Sequence, residues 1–295
     1  MTTECLSKVS LGTASFGNIY GILNQNKVTS FKELYKIVDL FVNNGGFQID
    51  TSNCYGDSEK ILGNILRDYK KHNLKITSKF KVTKRSKIED IRLQIDKSYQ
   101  IFGEKLDSVL CHTPDIISSD LKNIVLEAFE YIDNRYNFKK GLSIYSKSEV
   151  FNLDNKFRNH INEIQAPLNI FDDTADLLKK EKLIDLQNKV TARSIYLQGF
   201  LISEKCILSR FKEQHLLFQK YCLKKKLPNK EICIRYVLQK KYIDSFTIGI
   251  NKLNHLIELI EILKKIKKDN KKTTINSLSK DNLDNYLIDP RKWDL

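Results

Sequence analysis

The chain is poor in residues that break or staple a fold. Its 295 residues include 4 Pro and 11 Gly, so no Pro/Gly-rich hinge divides it, and helices joined by short loops are expected. No run approaches the ~20 apolar residues of a membrane-spanning helix. The N-terminus, MTTECLSKVSLGTASFG, lacks a basic region followed by an apolar one, which argues against a secretory signal. Six cysteines (Cys5, Cys54, Cys111, Cys206, Cys222, Cys233) show no C-x-x-C spacing. That argues against a zinc site and a disulfide framework, and reduced thiols point to the cytoplasm. Cys54 and Cys111 are read as small buried hydrophobes.

What the chain has in excess is positive charge, with 50 Lys and Arg against 36 Asp and Glu and a formal charge of +14. The lysines are spread along its whole length. The densest runs, KKIKKDNKK at 264–272 and CLKKKLPNK at 222–230, fall at helix ends, where cations complement the C-terminal dipole. No nucleic-acid partner is expected from that distribution, although the excess can steer anionic ligands. A hydrophobic fraction of 41% is ample for a core.

Short apolar runs and 3.6-residue periodicity alternate regularly. Strands are predicted at 8–12, 47–50, 75–80, 107–112, 140–144, 163–166, 190–194 and 244–249. Helices are predicted from Thr29 or Ser30 to Asn44, with Glu33 placed for a capping box, and at 58–71, 87–102, 119–133, 147–156, 172–181, 206–239 (broken near Pro228) and 253–268. Eight strand-helix units close most simply into a (β/α)8 TIM barrel, one α/β domain over 1–295 with a short tail from about 279. A doubly wound sheet binding a dinucleotide would want G-x-G-x-x-G after the first strand, and LGTASFG has the wrong spacing.

In a barrel, chemistry gathers where strands end. The second strand ends in Asp50 within GGFQIDTSNCYGDSEKILG (45–63), Tyr55 follows in its loop, Lys79 ends the third strand and His112 the fourth. A carboxylate at a buried strand end costs free energy unless paired, and Lys79 is the candidate partner. An ammonium ~4 Å from the Tyr55 oxygen, at an effective dielectric of ~20, would favour the phenolate by about 4 kcal/mol. Singly, each residue has a structural explanation: a capped turn, core filler, a snorkelling lysine, a loop-bound imidazole. Three consecutive strand ends together suit protonation of a carbonyl oxygen while a second agent delivers hydride. A metal-dependent hydrolase would want clustered His and carboxylates at strand ends, and only His112 is there.

The stretch NGGFQIDTSNCYGDSEKILG (44–63) resembles the signature of the aldo-keto reductase family. VSLGTASFG (9–17), KITSKF (75–80), LDSVLCHTPD (106–115), GLSIYS (141–146), IQAPLNIFD (164–172), ARSIYLQGFL (192–201) and FTIGINKLNHLIE (246–258) resemble its further segments in order. The resemblance, to a short bacterial member, implies a cytoplasmic NADPH-dependent reductase of a small carbonyl compound, with NADH left open. It implies Tyr55 as general acid completed by Asp50, Lys79 and His112. Ser143 and Gln165 would hold the nicotinamide carboxamide. Gly249, Asn251 and Lys252 would lie at the adenosine phosphate and Glu258 near the adenine; a strand, a Gly turn and a helix N-terminus form an anion site in any case.

Three departures stand out. Ile144 follows Ser143 where relatives often have Asn, and Arg193 stands where an aromatic commonly stacks on the nicotinamide. His255 stands where many NADPH-preferring members have Arg, and is expected to gain charge below about pH 6.5. The chain ends at DPRKWDL without the long loop that closes the pocket in some relatives, so an open pocket is expected, wide enough for a sugar or nucleotide-sugar derivative. A regulatory nucleotide-binding barrel is the alternative function, and turnover across an aldehyde panel separates the two.

Overall fold

Apolar spacing decides where the helices lie. In α1 (Phe31–Asn43) the residues Leu34, Ile37, Val38 and Phe41 recur at helical intervals and are all fully buried. Each such burial contributes roughly 1.5–3 kcal/mol. The computed structural model describes residues 5–18, 28–112, 121–146, 148–149, 158–180, 182, 188–269, 273–279 and 285–293. Its strands are β1 (Val9–Gly12), β2 (Gln48–Asp50), β3 (Lys75–Phe80), β4 (Leu106–Cys111), β5 (Lys139–Ser143), β6 (Glu163–Pro167), β7 (Lys189–Arg193) and β8 (Ser245–Gly249). All neighbours pair in parallel, and β8 returns to β1, closing the barrel.

The helices after α1 are α2 (Ser58–Leu66), α3 (Ile88–Phe102), α4 (Lys122–Arg135), α5 (Thr174–Lys180), α6 (Lys212–Lys225), α7 (Asn229–Leu238), α8 (Leu253–Lys268) and α9 (Asn285–Ile288). The helix predicted over 58–71 gives way at Arg67–Tyr69 to a 3-10 turn. The one over 206–239 breaks at Lys226, left-handed at φ 55°, ahead of Pro228. Most of the helix predicted at 147–156 lies outside the described residues. No helix among the described residues is long and apolar enough to cross a membrane.

The barrel floor is polar. Fully buried Glu163 accepts from Ser108 Oγ (2.7 Å) and Thr191 Oγ1 (2.9 Å) and pairs with Lys189 at 3.3 Å. These bonds satisfy a charge that would otherwise be costly to bury. Gly141 is required beside it, because a Cβ there would meet the Glu163 carbonyl oxygen at 1.7 Å.

Glu33 departs from expectation. Ser30 Oγ does accept from the Glu33 N–H at 3.3 Å, but the Glu33 carboxylate does not close a capping box. It crosses to α8 and accepts from the Leu253 N–H at 2.9 Å.

Candidate active site

Strand register brings the first pair together. Asp50 lies opposite Thr77 in the β2–β3 ladder, and Lys79, two residues further on, points to the same inner face. Lys79 is fully buried and Asp50 is 4% exposed. The ammonium donates to both Asp50 oxygens, at 2.7 and 2.8 Å, and to the Thr51 carbonyl at 2.8 Å. These three acceptors hold the ammonium in place beside Tyr55. Its Nζ lies 5.3 Å from the Tyr55 ring centroid and acts on that ring through its charge.

The loop carrying Tyr55 is pinned on both sides. Ser58 Oγ donates to the Thr13 carbonyl (2.9 Å) and meets Thr51 Oγ1 at 3.1 Å. Buried Glu59 accepts from Ser98 Oγ at 2.9 Å and from Ser78 Oγ. The Gly-Asp-Ser-Glu turn thus anchors α2 to β1, β3 and α3. Gly56 has φ +55° and sits where a Cβ would meet Asn18 at 2.6 Å, so glycine is required. Cys54 in this loop is exposed, contrary to the reading of it as a buried hydrophobe; Cys111 is buried.

His112 is the first residue beyond β4, held by its N–H on the Phe80 carbonyl at 2.8 Å. Its ring meets Tyr55 edge-on, 5.6 Å between centroids, and Tyr145 at 5.8 Å. Desolvation and the charges of Lys79, Arg193, Lys81 and Arg291 push its pKa down to about 2. The imidazole is neutral at any working pH.

Ser143 and Gln165 are register partners. Ser143 Oγ donates to Gln165 Oε1 at 3.1 Å, and Gln165 Nε2 donates to Asp50 Oδ1 at 2.7 Å. Arg193, at the end of β7, donates to Ser194 Oγ (2.9 Å) and to the Ile144 carbonyl (2.6 Å), and its guanidinium lies 4.1 Å from the Tyr145 ring centroid. The loop that follows is strained. Ser194, Leu197 and Gln198 all have positive φ (57°, 48° and 50°), a conformation costing about 1 kcal/mol or more per non-glycine residue.

These groups open onto one cleft of about 380 Å³. Asp50, Tyr55, His112, Gln165 and Arg193 line its inner part; Gly249, Asn251, Lys252, His255 and Glu258 line the part beside α8. Lys79 and Ser143 are fully buried and reach it through their partners. Glu258 is ion-paired with Lys230. His255 is exposed but partly desolvated, and this, with Lys230 and Lys252 nearby, lowers its pKa. The expectation that His255 gains charge near pH 6.5 is thereby corrected.

The family model described as the Aldo/keto reductase family matches residues 8–280. The chain belongs to the aldo-keto reductase family. Its activity class is that of a carbonyl-reducing oxidoreductase. Two solved structures from Pseudomonas aeruginosa, each assigned to the aldo-keto reductases, share its fold. One superposes with a TM-score of 0.64 at 16% identity, covering 88% of this chain and 91% of that one. The other gives 0.63 at 15%, covering 88% and 90%. No curated protein sequence matches the chain.

The nicotinamide dinucleotide used by aldo-keto reductases suits this cleft. Thr247 Oγ1, on its wall, is buried without a hydrogen-bond partner. A Cβ at Gly249 would meet no atom within 4 Å, so β8 ends against open space. Among the described residues, no group of three or more His, Cys, Asp or Glu is arranged to hold a metal ion.

Sequence reasoning missed Tyr145, Lys230, Thr247 and Arg291. Tyr145 was visible two residues past Ser143, on the loop where barrel chemistry gathers. Arg291 carried no local signal. It lies in a 3-10 turn (Pro290–Lys292), its guanidinium 4.1 Å from the Tyr145 centroid, bonded to Asp289 at 2.8 and 2.9 Å. The C-terminal segment therefore packs behind Tyr145, a residue of the cleft wall.

Proposed function

We propose that this aldo-keto reductase reduces a carbonyl compound with NADPH, with Tyr55 as the general acid. The observation that carries the reading is convergence. The Tyr55 ring lies 5.3 Å from the Lys79 ammonium and 5.6 Å from the His112 ring, in a cleft that extends to Lys252 at the start of α8. The bound dinucleotide supplies the hydride. Tyr55 gives its phenolic proton to the carbonyl oxygen, and the Lys79 charge stabilises the phenolate left behind. Because Asp50 neutralises much of that charge, the gain is below the about 4 kcal/mol of a bare ammonium at ~4 Å. His112, neutral, donates a hydrogen bond to the same oxygen and positions it. It does not compete with Tyr55 as an acid, since it carries no second proton.

The remaining cleft residues suit cofactor binding. Ser143 and Gln165 offer a hydroxyl and an amide to the carboxamide. Gly249, Asn251, Lys252 and the α8 N-terminus offer donors and positive charge to the adenosine phosphate, with His255 beside them. Glu258, fixed by Lys230, sits on the adenine side. Arg193 closes the wall at the nicotinamide end. The expectation of NADPH over NADH rests on Lys252.

The test is oxidation of NADPH and of NADH, followed by absorbance, across a panel of aldehydes and ketones. Turnover that depends on Tyr55 is expected. A protein that binds the dinucleotide yet reduces no carbonyl compound would overturn the proposal in favour of a regulatory nucleotide-binding barrel.

A further inference from the structure

We infer that the carbonyl compound taken by this site carries an anionic group, a carboxylate or phosphate ester, and that Arg193 binds it. This rests on the carbonyl-reductase reading and names its substrate class. Arg193 lines the cleft at the end of β7. Its two hydrogen bonds go to neutral oxygens, the Ser194 hydroxyl and the Ile144 carbonyl, and its Nε is buried with no partner. A guanidinium has five N–H donors, so its fork is under-used.

Three other cations near the cleft have counter-ions. Lys79 pairs with Asp50, Arg291 with Asp289, and Lys230 with Glu258. Asp172, whose field reaches Arg193, bonds instead to the Thr174 N–H at 3.0 Å and makes no ion pair with it. A half-buried guanidinium without a carboxylate, facing a cleft, is a ready binding group for a planar or tetrahedral anion.

The placement fits a substrate rather than a structural role. Arg193 and Arg291 each lie 4.1 Å from the centroid of the Tyr145 ring, and that ring lies 5.8 Å from His112. Tyr145 thereby links the cation to the imidazole that touches the carbonyl oxygen. Glu149 fixes the Tyr145 backbone by accepting from its N–H at 2.6 Å.

The experiment compares kcat/KM for two matched pairs, 4-carboxybenzaldehyde against benzaldehyde and glyceraldehyde 3-phosphate against glyceraldehyde. The wild-type protein, Arg193→Gln and Arg193→Lys are assayed. At least one anionic member is expected to be preferred by tenfold or more, and the pair that shows it distinguishes carboxylate from phosphate. Arg193→Gln keeps the capacity to bond Ser194 or the Ile144 carbonyl but has no charge, and should bring that ratio close to one. Arg193→Lys should keep part of it. Ratios near one in the wild type, or a ratio unmoved in Arg193→Gln, overturn the inference.

Calorimetric titration with benzoate against benzamide, and with glycerol 3-phosphate against glycerol, reads the site without turnover. Anion binding that Arg193→Gln abolishes, in a protein that reduces no aldehyde, would keep the anion site and sink the reductase reading. Turnover with no anion preference would do the reverse.

Discussion

Replacing Lys79 with Met strands Asp50 in the barrel. The pair is dry, at 0% and 4% exposure, so solvent screening does not soften the loss. The remaining polar contact of the carboxylate is Gln165 Nε2 at 2.7 Å, one neutral donor for a full charge. The variant therefore folds most readily with Asp50 protonated. Starting from an unfolded aspartate near ~3.9, taking up that proton at pH 7 costs about 4 kcal/mol, and about 1.5 kcal/mol at pH 5. The Thr51 carbonyl also loses its donor, a further ~1 kcal/mol that does not change with pH. The total agrees with the ~3–5 kcal/mol expected when one member of a buried pair is removed.

The sign follows from proton counts. Above about pH 4 the unfolded variant holds Asp50 ionised while the folded one holds it protonated. The folded state then binds more protons, and stability relative to wild type falls by about 1.4 kcal/mol per pH unit as pH rises. Urea denaturation at pH 5, 6, 7 and 8 measures this directly. The double change Asp50→Asn, Lys79→Met should restore most of the pH-dependent part, because an amide keeps an acceptor for Gln165 without a charge. A Lys79→Met deficit below ~1 kcal/mol, or one that does not vary with pH, would refute the buried pair.

Tyr55→Phe should leave cofactor affinity near wild type while carbonyl reduction falls by at least ~10²-fold; undiminished turnover would remove Tyr55 from the mechanism. Lys252→Ala should erode the preference for NADPH over NADH by ~1–2 kcal/mol, read as a ratio of dissociation constants from fluorescence quenching. Because the His255 pKa is lowered by desolvation, Lys230 and Lys252, the same ratio should rise less toward pH 6 than an ordinary imidazole would make it, and a full rise centred near ~6.5 would show that the lowering is absent. His112, with its pKa near 2, should give nitrogen NMR shifts of one neutral tautomer from pH 8 to 5; titration within that window would contradict the desolvated pocket.

Local sequence was sufficient for the barrel and for singling out Asp50, Lys79 and His112 at strand ends and Tyr55 in a loop. Eight apolar runs alternating with 3.6-residue patterns are short-range signals, and a polar residue closing a buried run is visible without knowing its partner. Sequence order also placed Gly249 through Glu258 on one strand-turn-helix unit, whose local geometry creates an anion site. What the sequence could not decide was direction and neighbourhood. Glu33 has the spacing of a capping box, yet its carboxylate crosses to the Leu253 N–H, 220 residues away in sequence. Lys79 was legible as the partner of Asp50, but only the packed barrel adds the Thr51 carbonyl as a third acceptor.

His255 reads as an ordinary imidazole until packing sets two lysines and a partly dry wall beside it. Arg193 and Arg291 lie 98 residues apart with no pattern joining them, and barrel closure stacks both on Tyr145. Hydrophobic period is a property of adjacent residues and survives in one dimension. The charge felt by a side chain depends on everything within a few ångströms, and that shell is assembled from strands and loops that meet only when β8 closes on β1.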